Sequence, residues 1–327
     1  MNRIIVFRPG ALGDTLLAFP ALAALRRAFP GARLHAIGSA PALALARDAG
    51  LADEVGAFDD LCWAELFAED GIRSAEARQI LDGAQLAVLW LRNSVGLAAR
   101  NLRALGISSL VSAPGRPPEG ARVHAAEYLL ETLMPIIGAA AQARSDEPPL
   151  TLAQEARAWA EGEWARRGLA GAPTLVIHPG SGGRDKCWPS DRFAALAGRF
   201  IAAGWRALVI EGPADAAPAS AALAALPAGR AQRVGGLALP QLAALLARAA
   251  LYVGNDSGVS HLSALLGAPT LALFGPTDPA IWSPRGPRAR VVWAGAAASA
   301  GVTLPPMSAL TVDRVYDAAQ TLLRSCH

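Results

Sequence analysis

The chain has 327 residues, 53% hydrophobic and 17% charged, so it can bury large cores, is expected to form two domains, and is not a disordered tail. A formal net charge of +3 with a pI near 9.0 favours anionic ligands and anionic membrane surfaces without selecting one of them. Cys62, Cys187 and Cys326 are far apart and odd in number, which excludes a disulfide framework and a CxxC metal pair and suits a reducing cytosol.

Residues 3–7 (RIIVF) read as a buried first strand, since the apolar run is broken at Arg8 and is too short for a secretory hydrophobic region. Arg8-Pro9-Gly10-Ala11-Leu12-Gly13-Asp14-Thr15 follows, and then an apolar helix over residues 16–28 with a slight kink expected at Pro20. The glycines let the backbone turn sharply above the sheet edge, but the spacing is not GxGxxG, which weighs against a dehydrogenase. Asp14 falls at the helix start, where it can cap the helix or act as a base. Alternation continues through strands near 32–37, 54–58, 86–91 and 109–112 and helices near 41–49, 74–81, 95–105 and 125–137, a pattern that implies a doubly wound parallel sheet. Arg92, directly after a strand end, is the arginine of this half best placed to touch an anionic ligand; Arg26, Arg27, Arg100 and Arg103 read as solvated faces or helix-end charges.

Small residues from 138 onward, then Ser145-Asp146-Glu147-Pro148-Pro149, mark a linker between domains 1–149 and 150–327. A helix over 153–167 leads into a second alternating series: strands at 174–178, 206–211, 232–234, 251–253 and 270–274, and helices at 192–203, 216–225, 240–249 and 260–266. The last helix, 313–325, is a candidate to pack back on the first domain. Residues 257–277 carry no Asp, Glu, Lys or Arg, yet Pro269, Pro276 and three glycines divide them into helix plus strand, not a membrane span.

Two loops of this half carry the chemistry. His178-Pro179-Gly180-Ser181-Gly182-Gly183-Arg184-Asp185-Lys186-Cys187-Trp188-Pro189 follows a strand and has the logic of a phosphate cradle, although it is not GxxxxGK[ST]. Its lysine is the only one in a chain whose other 29 basic residues are arginines; it is either a phosphate ligand or a surface lysine in a flexible loop. Asn255-Asp256-Ser257-Gly258-Val259-Ser260-His261 lies at a strand-to-helix junction, where helix amides can accept a phosphate, unless Asp256 and Ser257 merely cap them. Glu211 or Asp215, after another strand, is placed to take ribose hydroxyls or to cap the next helix.

Together, Gly10 to Asp14 with Pro20, His178 to Pro189, and Asp256 to His261 resemble glycosyltransferase family 9, which holds the ADP-heptose:lipopolysaccharide heptosyltransferases. The resemblance implies a GT-B fold: two Rossmann-like doubly wound domains facing across a cleft, the first binding acceptor and the second the nucleotide sugar. It implies Asp14 as general base, Ser181, Gly182 and Lys186 as the phosphate loop, Asp256, Ser257, Gly258 and His261 as the donor motif, and Asp215 or Glu211 as ribose acid. Arg8, Gly13 and Arg92 are the acceptor-side candidates. The expected reaction is inverting and needs no metal or other cofactor; the expected donor is ADP-heptose or a related nucleoside diphosphate sugar. The expected acceptor is an anionic glycolipid or glycan, met in the cytoplasm or at the cytoplasmic face of the inner membrane, with no nucleic acid involved. The competing reading is a non-catalytic sugar-nucleotide-binding protein of the same fold. Residues 295–307 carry no readable acceptor signature.

Overall fold

In the computed structural model, described over residues 1–92, 95–141, 150–213, 215–295 and 305–326, the chain divides into two units, Met1–Glu147 and Pro148–His327. The expected boundary, in the linker, falls in 142–149, outside the described residues, as does most of the 295–307 stretch.

The first unit is built on β1 (Arg3–Arg8), β2 (Arg33–Gly38), β3 (Glu54–Ala57), β4 (Leu86–Trp90) and β5 (Ser109–Ala113), a parallel sheet ordered β3-β2-β1-β4-β5. Its central strands are the unbroken apolar runs that burial on both faces demands: Ile4 to Phe7 and Leu86 to Trp90 are at most 1% exposed. On one face Phe7 meets the Trp63 ring edge-on at 5.1 Å, over Leu66 and Leu102. The helix expected over residues 16–28 is observed as Phe19–Ala28, preceded by a separate short helix, Leu12–Leu16. Pro20 lies in the first turn of the longer helix, where its missing N–H costs nothing, so the proline starts a helix instead of bending one.

The second unit holds β6 (Thr174–His178), β7 (Arg206–Glu211), β8 (Ala231–Gly235), β9 (Leu251–Asn255), β10 (Thr270–Phe274) and β11 (Ala289–Trp293), all parallel and ordered β11-β10-β9-β6-β7-β8. β11 was not anticipated. It is an edge strand whose only buried residue is Val292, so it lacks the apolar run that betrays the central strands. The final helix, Val312–Ser325, buries Val315, Ala319 and Leu322 in this unit's own core beside Leu196 and Phe200, with Tyr316 5.3 Å from the Phe200 ring. Its apolar face is thus covered by helix Ser190–Ala202 of the same unit. Among the described residues no helix is long and apolar enough to cross a membrane, and the charge-free 257–277 stretch is the helix Gly258–Leu265 followed by β10.

Chain order reverses between β1 and β4 in the first sheet and between β6 and β9 in the second. At such a point the loops leaving the strands' carboxyl ends diverge and open a crevice, which is where doubly wound sheets take ligands. The sequence cassettes fall there: residues 9–14 and Arg92 follow β1 and β4, and residues 179–189 and 256–258 follow β6 and β9.

Candidate active site

At the second switch point Asn255, fully buried at the end of β9, clamps the neighbouring loop. Its Nδ2 donates to the carbonyls of Pro179 (2.9 Å) and Gly180 (3.1 Å), and its Oδ1 accepts the Trp188 N–H at 2.9 Å. The far end is anchored again by the buried Trp188 indole, which donates to the Leu310 carbonyl at 2.9 Å. A glycine-rich loop that would otherwise pay a large ordering entropy is therefore fixed at both ends before any ligand arrives.

Between these anchors the Lys186 ammonium lies 2.8 Å from Asp256 Oδ2, which also accepts from the Thr277 hydroxyl at 2.9 Å. Ser181 donates to the Asp256 carbonyl at 2.7 Å. Lys186 is thus not a loose surface lysine: Asp256 aims it, and two of its N–H donors remain for a ligand. Ser257 precedes the helix Gly258–Leu265 but makes no side-chain capping bond to it, so the first amides of that helix can receive an anion. Gly182 lies in the same loop with open space where a Cβ would be, and His261 is buried one turn into the helix.

Asp215 and Glu211 part company. Asp215 is 9% exposed and turned inward, its Oδ2 2.9 Å from Nε2 of His178, the last residue of β6. That hydrogen bond holds its carboxyl below the usual carboxylate range despite burial. The carboxylate fits because Gly180 and Gly212 have no side chain: a Cβ at either would lie 2.0 Å and 2.5 Å, respectively, from its nearest atom. Gly180→Ala is therefore expected to destabilise the second unit by about 1–3 kcal/mol, as overpacking does, seen as a lower melting temperature. Glu211, at the end of β7, is half-buried and paired with Arg233 at 3.0 Å.

In the first unit a cavity of about 370 Å³ is lined by Arg8, Pro9, Gly10, Asp14, Trp90, Arg92, Gly115 and Arg116. Asp14 accepts the Ala11 N–H at 3.2 Å and stands 3.5 Å from Arg8 Nη2, while its side chain stays 38% exposed. The capping reading is thus present, and it leaves the carboxylate open to the cavity. Gly10, at φ +149°, lets the turn close: a Cβ there would come within 2.8 Å of Asp14 Cβ. Arg8 is 6% exposed; burial pulls its guanidinium below the ordinary arginine value and Asp14 pulls it back. Gly13 lies within the short helix beside Asp14.

The structure thus gathers Ser181, Lys186, Asp256, Ser257 and Gly258 at one switch point, and Arg8, Asp14 and Arg92 around one cavity. His178 and Asn255 had no assigned role in the sequence reading, and Thr277 and Arg116 were not singled out. The signal for the first two is a polar residue closing a buried strand beside the switch point. Among the described residues, no three His, Cys, Asp or Glu side chains are grouped to hold a metal ion.

Two doubly wound parallel units, each with its polar loops at the switch point, make this a protein of the GT-B class. Residues 118–304 match the family model for glycosyltransferase family 9 (heptosyltransferase), more than half of the chain, and the chain belongs to that family. Lipopolysaccharide heptosyltransferase 3 of Escherichia coli is 31% identical over 134 residues, spanning 37% of this chain and 36% of that protein. Lipopolysaccharide heptosyltransferase 1 of Pseudomonas aeruginosa is 38% identical over 109 residues, 33% of this chain and 30% of that protein. The match covers about a third of the length of these curated relatives. Among solved structures, the family 9 glycosyl transferase of Veillonella parvula superposes with TM-score 0.83 at 20% identity, over 99% of this chain and 98% of that one. The E. coli ADP-heptose lipopolysaccharide heptosyltransferase II does so with TM-score 0.76 at 21% identity, over 99% of both. These likenesses establish the fold.

Proposed function

We propose that the chain is an inverting glycosyltransferase that moves heptose, or a related sugar, from ADP-heptose or another nucleoside diphosphate sugar to an anionic glycolipid or glycan of the lipopolysaccharide core. The observation that carries this reading is the loop architecture of the second switch point: the chain's single lysine held at 2.8 Å by Asp256 beside a helix start that its own Ser257 leaves uncapped. Ammonium and amides together suit a diphosphate, in the ground state and as charge builds on the leaving group.

Ser181, Gly182, Lys186, Asp256, Ser257, Gly258 and His261 form the donor side of this reading. Glu211 takes the ribose hydroxyls in it, because Asp215 is already committed to His178 whereas Glu211 ends its strand half-buried with only an arginine as described partner. On the acceptor side Asp14 removes the proton of the attacking hydroxyl, which displaces nucleoside diphosphate at the anomeric carbon with inversion. A positioned base of this kind contributes about 10²- to 10⁴-fold. Arg8, Arg92 and Arg116 around the same cavity suit an acceptor that carries carboxylate or phosphate groups, and Gly13 keeps the turn beside Asp14 small. The chemistry requires Asp14 and Lys186 to serve the same pair of substrates, with water excluded from the donor. The leaving charge falls to Lys186 and backbone amides, so no divalent metal has a part in this scheme. The setting in this reading is the cytoplasm, with peripheral contact at the inner membrane through a lipid-borne acceptor, favoured by the mild net positive charge.

Purified protein incubated with ADP-heptose and a Kdo-lipid A acceptor in the presence of EDTA is expected to form the glycosylated product, read by mass spectrometry. A strict requirement for a divalent metal contradicts the proposed electrostatics, and absence of transfer from several nucleoside diphosphate sugars contradicts the reaction.

A further inference from the structure

Two side chains at the second switch point, Asp215 and His178, have no part in the scheme above, and they lead to Ser257, which does. Nε2 of His178, a residue 3% exposed, lies 2.9 Å from Asp215 Oδ2, and its Nδ1 lies 3.4 Å from the Ser257 hydroxyl. The Asp215 carboxyl is held low enough to be ionised at neutral pH, so it can only accept, and the proton between them sits on Nε2. In the tautomer that carries this proton alone, Nδ1 is a lone pair. The other hydroxyls near Ser257 are those of Tyr252 and of Ser260, the latter at 3.5 Å, and Ser260 is already engaged: it donates to the Asn255 carbonyl at 2.5 Å and faces the Tyr252 hydroxyl at 3.1 Å. In that tautomer the more basic acceptor for the Ser257 proton is the His178 nitrogen, which leaves an oxygen lone pair of Ser257 for the ligand.

We infer that His178, oriented by Asp215 and carrying its one ring proton on Nε2, is a positioning residue that turns Ser257 into an acceptor-only contact, one that reads a hydroxyl group of the donor sugar and not a phosphate oxygen. An ionised phosphate oxygen has no proton to give, so a hydroxyl whose own proton points inward attracts a sugar OH and leaves the phosphates to Lys186 and the helix amides. A donor lacking that hydroxyl leaves the Ser257 oxygen unpaired beneath the ligand, which is how a site discriminates between sugars. Asp215 is accordingly an orienting group for His178.

The inference rests on the donor-site reading above, and its test has one arm that does not. In the full chain labelled with ¹⁵N-histidine, and with His178 assigned by the signals lost in His178→Gln, the ring is expected to show a protonated Nε2 and an unprotonated, hydrogen-bonded Nδ1 at neutral pH. A proton on Nδ1 overturns the inference whatever the protein binds. The second arm measures ADP-heptose affinity for wild type, Asp215→Asn, Ser257→Ala and the double variant by calorimetry. Asp215→Asn is nearly isosteric and keeps the fit against Gly180. Each single change is expected to weaken binding about tenfold, the worth of a hydrogen bond, with the double variant no weaker than Ser257→Ala alone. Among monodeoxy analogues of the donor sugar, one is expected to bind wild type more weakly than the parent while Ser257→Ala does not distinguish the two. Additive losses, or no such analogue, overturn the positioning role. A wild-type protein that ignores ADP-heptose overturns the donor assignment instead, and the imidazole measurement still decides the state of His178.

Discussion

Asp14→Asn lowers the rate of sugar transfer by about 10²- to 10⁴-fold and leaves the affinity for nucleotide sugar unchanged, the loss expected when a positioned base is removed. The substitution is selective because asparagine keeps the shape of the side chain and an oxygen that can accept the Ala11 N–H, so the short helix Leu12–Leu16 retains its cap. What goes is the carboxylate that faces the cavity with Arg8 at 3.5 Å. Single-turnover rates and donor binding measured side by side check this. A transfer rate within a few-fold of wild type returns Asp14 to the role of a cap. In the competing reading, a binding protein without catalysis, Asp14→Asn alters nothing measurable because there is no transfer to lose.

The second large effect falls on Lys186. Lys186→Ala is expected to weaken donor binding and turnover together, with kcat/KM down by about 10²- to 10³-fold, the scale for one preorganised charged donor. The loss has two parts. The ammonium no longer meets the diphosphate, and Asp256, left with Thr277 as its other side-chain partner, now presents an uncompensated carboxylate to an anionic ligand. Asp256→Asn in the Lys186→Ala background should therefore recover part of the donor affinity, although it harms the wild type by releasing the lysine. Unchanged donor affinity in Lys186→Ala removes the lone-lysine argument. Arginine is a poor substitute at this position, since its planar fork cannot occupy the point-like place between Asp256 and a ligand.

The parts of the molecule legible in the sequence are those that local rules fix. β1, β4, β6, β9 and β10 are continuous apolar runs because both of their faces are covered, and Asp14, Lys186 and the Asp256 cluster announce themselves by following such runs. β11 escaped because an edge strand needs only one residue, Val292, in the core. The final helix was placed loosely because amphipathicity tells that a helix has a buried face, not what covers it. The place of Asp215 after β7 is legible in the sequence; its hydrogen bond to His178 is not, since it depends on two glycines 32 residues apart, Gly180 and Gly212, a coincidence visible only once β6 and β7 are side by side. Arg116 came into view for the same reason, since the residues after β5 line the cavity only when β5 stands next to β4.

The solitary lysine also makes the loop after β6 chemically addressable. An acylating reagent directed at ε-amines has one target in the entire sequence, a side chain 33% exposed and bound to Asp256. Shielding of that one ε-amine by a nucleotide would report occupancy of the loop, with no engineered probe and no knowledge of the acceptor.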